Sequence, residues 1–422
     1  MKVRIKGLVL LGAFFVLPYL NAQDTVTVMQ YNLLNYGNNT SYCDQNNNNI
    51  DTKNENIRVL LNYITPDIIS VNEMASDSYK AIYLLNNALN TDGRTFYKNA
   101  SMTNLSGSGI VNMLYYNSEK FTLAYQEAIG TSLRDINVYH LYYNSPDLAQ
   151  GDTAWLTCIV AHLKAGSYSS DAATRADMTA TLMDYVSNHN IDGNVLIMGD
   201  MNLYSSSEEA YQNMVNYSVE RFRVYDPVNM SGNWSNNSYY AMYHSQSTHA
   251  TSNDCFASGG LDDRFDFILI SEEVRDDLMK IKYVPSSFKV IGQDGQHFNA
   301  SIIDNPANSL YPEELVDALY QISDHLPVTL KLEIEQTPVN GINEADAGDP
   351  IRVSTLVTDK IHVDAGRAVK VTYELYDAVG RKIGEGEKNG QFDLDVRNFK
   401  RGLYFLRLHT DNMAVMYKVV KQ

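Results

Sequence analysis

The chain has 422 residues, 33 Lys and Arg against 50 Asp and Glu, and a formal net charge of -17. Its length exceeds what one hydrophobic core usually serves, so two domains are expected. The charge excludes bulk binding to polyanions by charge alone, although a bound divalent cation dominates its local field and still admits a phosphate. Three cysteines exclude a disulfide scaffold.

Lys2, Arg4 and Lys6 precede an apolar run from Gly7 to Leu20, which ends at Asn21, Ala22 and Gln23. This layout predicts a signal peptide over 1–22, and therefore a secreted or cell-surface product. No later run reaches the roughly 20 apolar residues of a membrane span, so none is expected. From Asp24, TVTVMQYNLLNY reads as a strand with the amide of Asn32 at its end. The Asn-rich segment that follows partly fits a calcium loop, with Asp44, Asn46, Asn48 and Glu55 as oxygen donors. Asn49 replaces the usual glycine, so a plain surface loop is the expectation and a structural Ca²⁺ the alternative.

Ile57, Leu60, Leu61 and Ile64 recur at helical spacing before Pro66. DIISVNEM, 67–74, is a short apolar strand carrying Glu73 near its tip, then a helix spans 79–89 and a strand 110–116. From Thr153 an aliphatic strand ends at His162, and a helix covers 171–186. In VLIMGDMNLY the apolar run Val195–Met198 stops at Gly199, and Asp200 and Asn202 follow on one face of an extended segment. A helix over 206–215 has serines for caps, and the Asn-, Ser- and Tyr-rich stretch 225–260 reads as substrate-facing loop. Its Tyr239, Tyr240 and Tyr243 read as amphipathic surface packing, with base stacking the alternative. Asp266 opens the strand 265–270, and Ser323, Asp324 and His325 precede a strand that runs to Ile334.

The segment 336–350, rich in Pro, Gly and acids, is predicted to be a linker, and 351–422 a small β-sandwich. Cys158 lies in an apolar run and is read as buried. Cys43 and Cys255 sit in polar loops and are read as unpaired, with pairing in an oxidising compartment as the alternative.

Asn32, Glu73, His162, Asp200, Asn202, Asp266, Asp324 and His325 thus all stand at strand ends. Each alone has a bland reading, as turn residue, helix-start acid or satisfied polar group. Their recurrence predicts one site, because ligands of α/β sheets gather outside the carboxyl ends of strands.

The pieces QYNLLNY, SVNEM, VAHLKAG, MGDMNLY, RFDFILI and SDHLPV, in this order, resemble the endonuclease/exonuclease/phosphatase superfamily over 24–335. Asn72 stands where relatives often have glutamine, a departure expected to matter little. The resemblance implies a four-layer α/β sandwich, two face-to-face β-sheets flanked by helices, and metal-assisted phosphoester hydrolysis. It implies Mg²⁺ or Mn²⁺ on Glu73, with Asn32 nearby for metal or phosphate and Asp324 for a second metal. Asp266 would orient His325 as base or phosphate binder, Asp200 would orient or deprotonate the water, Asn202 would bind phosphate, and His162 would stabilise the transition state or assist the leaving group. The base is His325 or Asp200, with His325 the expected one. The substrate implied is a phosphoester, nucleic acid first, with sphingomyelinase-type phospholipase C or phosphomonoesterase activity as alternatives. The protein is expected to be a monomer. The last domain, with VTYELYDAVGRKIGEGE, GLYFLRLHT and MYKVVKQ, resembles the sorting domain of type IX secretion cargo, which implies that machinery as a partner.

Overall fold

The computed structural model describes residues 22–336 and 351–422, apart from 146–147, 149–152, 366–369, 379–380 and 411–412. The signal peptide but for its last residue, and all but the first residue of the linker, therefore lie outside the described residues. The chain divides into two compact units, Met1–Thr337 and Pro338–Gln422.

In the first unit the strands are β1 (Ala22–Tyr36), β2 (Ile68–Ala75), β3 (Tyr97–Asn99), β4 (Ile110–Asn117), β5 (Phe121–Ile129), β6 (Ile136–Tyr143) and β7 (Trp155–His162). Next come β8 (Val195–Asp200), β9 (Val224–Tyr225), β10 (Asp266–Ser271), β11 (Ile281–Tyr283), β12 (Lys289–Val290) and β13 (Val328–Gln336). They form two sheets, ordered β11-β13-β1-β2-β4-β3 with β12 also on β13, and β5-β6-β7-β8-β10-β9. Each sheet is built around one parallel pair, β1 with β2 and β7 with β8, between antiparallel neighbours. The first and last strands are partners, and Ala22 lies opposite Gln336.

Side-chain alternation explains the layers. In the second sheet Cys158, Val160, Leu196, Met198, Ile268 and Ile270 join a core shared with Val26, Val28 and the rest of the first sheet. Their neighbours Ile159, Ala161, Ile197, Phe267 and Leu269 turn the other way, onto helices α3 (Ser169–Asn188) and α4 (Glu209–Val215). The first sheet is covered by α1 (Ile50–Tyr63), which packs on α6 (Glu313–Ile322), while α2 (Ser78–Leu84) and α5 (Glu272–Asp276) are short. A leucine fully buried in these layers, such as Leu60 or Leu196, contributes about 1.5–3 kcal/mol. The four-layer sandwich expected from the sequence is what the residues build.

Several local expectations differ from the structure. The helix predicted over 206–215 starts only at Glu209, because 205–207 are used in a turn that pairs with 232–233. The hairpin β5–β6 and helix α6 went unread. The stretch 225–260 is loop, as expected, but it sends side chains into the core: Trp234 is fully buried, Tyr240 is buried with its hydroxyl on Ser231 O, and His244, Ser245 and Thr248 are buried as well. Tyr239 is exposed, as surface packing requires. Cys43 and Cys255, read as unpaired, form a disulfide, and Cys158 is a buried thiol. In the calcium-like loop, Asn49 Oδ1 accepts from Asp51 N and Thr52 N and so caps α1, which contains Glu55. Asp44 Oδ1 accepts from Asn46 N, so the loop's oxygens close its own turns. No helix among the described residues is long and apolar enough to cross a membrane.

The second unit holds two sheets. One orders Arg352–Val353, Lys360–Asp364 and Gln391–Asp395; the other orders Leu356–Val357, Met413–Lys421, Gly402–Thr410, Lys370–Asp377 and Lys382–Asn389. Ile361, Val363, Val371, Leu375, Leu406 and Leu408 make its own core, as a small β-sandwich needs.

Candidate functional site

The topology brings the predicted residues together. Asn32 pairs with Asn72, one residue before Glu73, near the ends of β1 and β2. His162 pairs with Asp200 at the ends of β7 and β8, and antiparallel β10 begins with Asp266 opposite Asp200. Because β13 runs against β1, Asp324 and His325 just before it also reach this edge. All except Glu73 are buried.

Local backbone shape follows from sequence at two places. A Cβ on Gly199 would lie 1.8 Å from Ala161 O, so only glycine lets β8 approach β7 just before Asp200. Glu73 and Asn202 have φ of 60° and 49°, a left-handed conformation that costs a non-glycine residue about 1–3 kcal/mol and clusters at functional sites.

Asp200 Oδ2 is the hub. It accepts from Asn32 Nδ2 at 2.9 Å and lies 3.4 Å from His162 Nε2 and 3.6 Å from His325 Nε2. Asn32 Nδ2 also reaches Glu73 Oε1 at 3.0 Å, while its Oδ1 accepts from Leu34 N at 2.9 Å. That backbone donor fixes the amide orientation. Asn32 therefore offers a donor to the site, which suits the phosphate half of its expected role. Glu73 Oε2 accepts from Asn35 N at 3.0 Å. His325 Nδ1 donates to Asp266 Oδ2 at 2.7 Å. Asn202 N donates to Asp200 Oδ1 at 3.1 Å, and its side-chain amide lies 3.4 Å from Leu163 O.

Asp324 stands apart from the other carboxylates. Its Oδ2 accepts from Ala257 N at 3.0 Å and faces Gln246 Nε2 at 3.4 Å.

The electrostatics push neighbouring groups apart. Burial, with Asp266 and Glu73 adding to it, lifts the Asp200 carboxyl to about 7 even though His325 and the Asn32 hydrogen bond favour its charge. Burial opposes charge on His325, but Asp266, Asp200 and Asp324 outweigh it and hold the imidazolium well above the ordinary histidine range. Burial and the nearby charges of Arg134 and His325 hold His162 well below that range. Two histidines shifted oppositely beside a carboxyl near 7 are the kind of pairing that acid–base sites use.

Four residues that shape the site escaped the sequence reading. Asn72, expected to matter little, accepts from Gln30 Nε2 at 2.6 Å and Asp200 N at 2.8 Å and donates to Asn112 Oδ1 at 2.8 Å and Ala161 O at 3.2 Å. It thereby stitches the two sheets together beneath the hub, which its place before Glu73 would have signalled. Ser245 Oγ donates to Asp266 Oδ2 at 2.8 Å, and Gln246 Nε2 lies 2.7 Å from His325 Nε2. Arg134, from the turn between β5 and β6, touches His162 Nδ1.

For a metal, Glu73, His162 and Asp200 each bring one ligand atom within 4.8 Å of the others. The carboxylate oxygens fit a hard cation such as Mg²⁺ or Mn²⁺, and a cation there relieves the crowded negative charge.

Fold and site define the first unit as a four-layer α/β sandwich with a cluster of acids, amides and imidazoles where both parallel pairs end. The carboxy-terminal part is identified more narrowly: residues 357–422 match the family described as the Secretion system C-terminal sorting domain, which marks the chain for export. No curated protein matches the chain. Among solved structures it is similar to a humanized D. rerio TDP2 carrying 14 mutations, at 15% identity over 73% of this chain and 98% of that one, TM-score 0.45. It is similar to an endonuclease/exonuclease/phosphatase family protein of Bacteroides thetaiotaomicron at 13% identity over 75% and 97%, TM-score 0.44. A protein of that description from Bacteroides vulgatus is 13% identical over 74% and 100%, TM-score 0.44.

Proposed function

We propose that residues 24–335 form an exported, divalent-metal-dependent phosphoester hydrolase that acts on the phosphodiesters of nucleic acid. The observation that carries this reading is the convergence of Asn32, His162 and His325 on one oxygen of Asp200, with Glu73 alongside and Asp266 behind His325. Donors aimed at one point beside carboxylates suit a group that is anionic, tetrahedral and approached by water.

Glu73, the open carboxylate of the cluster, would hold Mg²⁺ or Mn²⁺, with Asp200 Oδ2 close by. Such a cation neutralises phosphate charge and acidifies a bound water. Asp200 Oδ2 and His325 Nε2, 3.6 Å apart, are the two groups placed to take the proton of the attacking water. Asp266 orients the His325 ring, and Asn32 Nδ2 and Asn202 face the phosphate beside it. His162 adds a further contact from the opposite side.

A bilayer substrate would call for exposed aromatic anchors beside the site; Trp234 is fully buried, and the exposed Trp155 opens β7 at the end opposite His162. The test is EDTA-reversible hydrolysis of plasmid DNA, RNA, sphingomyelin and a phosphomonoester by the purified chain. Nucleic acid cleavage that returns with Mg²⁺ or Mn²⁺ is expected. Cleavage of sphingomyelin alone refutes the nucleic acid assignment, and no cleavage of any substrate refutes the hydrolase.

A further inference from the structure

His162 has a partner that the proposed reaction leaves unused. Arg134 places a guanidinium nitrogen against His162 Nδ1. A guanidinium has five donors and no acceptor, so the ring nitrogen it touches must carry a lone pair. A neutral imidazole with its lone pair on Nδ1 carries its hydrogen on Nε2. The surroundings of Nε2 agree: Asp200 Oδ2 at 3.4 Å and Glu73 Oε1 at 3.9 Å are both acceptors.

The arginine is held for this task. Thr131 Oγ1 donates to Arg134 O at 2.7 Å, and Arg134 N lies 3.3 Å from the same hydroxyl. The next residue, Asp135, is buried and accepts from Leu105 N at 2.7 Å and Ser106 N at 2.8 Å, while Ser106 Oγ reaches Thr131 O at 3.0 Å. Two loops thus lock the turn from which the guanidinium projects.

We propose that Arg134 is a positioning residue: it fixes His162 in the Nε2–H tautomer, so that this histidine serves the phosphoester as a hydrogen-bond donor and is not a ligand of the cation. The three-residue grouping of Glu73, His162 and Asp200 is then two carboxylates and a donor, since a metal-bound Nε2 would need the lone pair that Arg134 assigns to Nδ1. The catalytic consequence rests on the hydrolase reading; the tautomer does not. Arg134 itself gains a role in turnover without touching substrate.

The experiment uses the full chain labelled with ¹⁵N-histidine, the His162 signals being assigned by their loss in His162→Gln. Long-range ¹H–¹⁵N spectra are expected to show a bare Nδ1 and a protonated Nε2, unchanged when Mg²⁺ is added. A proton on Nδ1, or loss of the Nε2 proton on adding Mg²⁺, overturns the proposal whatever any variant does. Arg134→Met is expected to lose the single tautomer and to lower kcat about 10-fold or more with KM within about 2-fold. The loss should be larger for esters with poor leaving groups, and Arg134→Lys, which keeps a donor, should restore part of it. A raised KM with unchanged kcat would mean that Arg134 binds substrate directly and would also overturn the proposal. If the wild-type chain hydrolyses nothing, the functional reading fails while the spectra still decide the tautomer.

Discussion

Asp266 Oδ2 holds two donors at once, His325 Nδ1 at 2.7 Å and Ser245 Oγ at 2.8 Å, so the carboxylate behind the histidine is itself fixed in orientation. Asp266→Asn keeps the shape and removes the charge. We expect kcat to fall about 100-fold or more. Because Asp266 raises the His325 pKa, the limb of the kcat profile that His325 sets should move to lower pH in this variant. His325→Ala should abolish hydrolysis with an unchanged near-UV circular dichroism spectrum. An unmoved profile in Asp266→Asn, or near-normal turnover in His325→Ala, contradicts the assigned roles.

Glu73→Gln keeps the volume and replaces an anionic oxygen ligand by a neutral amide. Divalent affinity, read by calorimetric titration with Mn²⁺, should drop by at least the roughly 100-fold that loss of an outer-shell partner reaches. EDTA should silence the wild type equally. Mn²⁺ affinity within a few-fold of wild type would remove Glu73 as the ligand.

Asn202, at φ 49°, separates structure from function because glycine adopts that backbone freely. Asn202→Gly should leave the unfolding free energy from urea titration within about 1 kcal/mol of wild type while kcat/KM falls. A large stability loss with normal turnover would show the amide to be structural.

The disulfide joins two loops that each support the site. One follows directly on Asn35 at the end of β1, whose N–H holds Glu73, and the other carries Ala257, whose N–H holds Asp324. Asn47 and Asn253 add a reciprocal pair of amide–carbonyl bonds at 3.1 and 3.2 Å. Cys255→Ser should lower stability by about 2–4 kcal/mol and weaken Mn²⁺ binding in the same preparation. Unchanged binding together with unchanged stability would refute the clamp.

His249 gives a pH signature outside the catalytic cluster. It stacks on Tyr320 with ring centres 3.7 Å apart, and its Nδ1 lies 2.8 Å from Thr248 Oγ1. Burial lowers it to about 4, against a weaker opposing pull from Asp324. A depressed folded pKa means that the unfolded chain binds more protons, so this stability is present above about 6.5 and is lost as pH falls toward 4. The loss should approach roughly 3 kcal/mol. His249→Gln should flatten the fall of the urea midpoint between those pH values, and an identical slope would discount the residue.

Which parts were legible in the sequence has a physical explanation. Buried parallel strands such as β7 and β8 write themselves as short apolar runs, and the polar residues that end them, His162 and Asp200, stand out against that background. Residues that act through irregular backbone do not. Ser245, Gln246 and the buried Trp234 lie in a stretch with no period, where Asn and Ser satisfy buried backbone and a loop reading was natural. Arg134 follows β5, whose half-exposed face hides its alternation. The pairing of Cys43 with Cys255 spans 212 residues, and only tertiary structure brings such positions together.

The pairing of Ala22 with Gln336 gives the molecule a front and a back. Both residues lie at the ends of β1 and β13 remote from Asn32 and His325. The nine residues of β13 place about 30 Å between the histidine's end and the strand's exit. The chain therefore enters β1 and leaves β13 at the end of this unit remote from the site. A tag fused before Ala22 should therefore be silent in turnover.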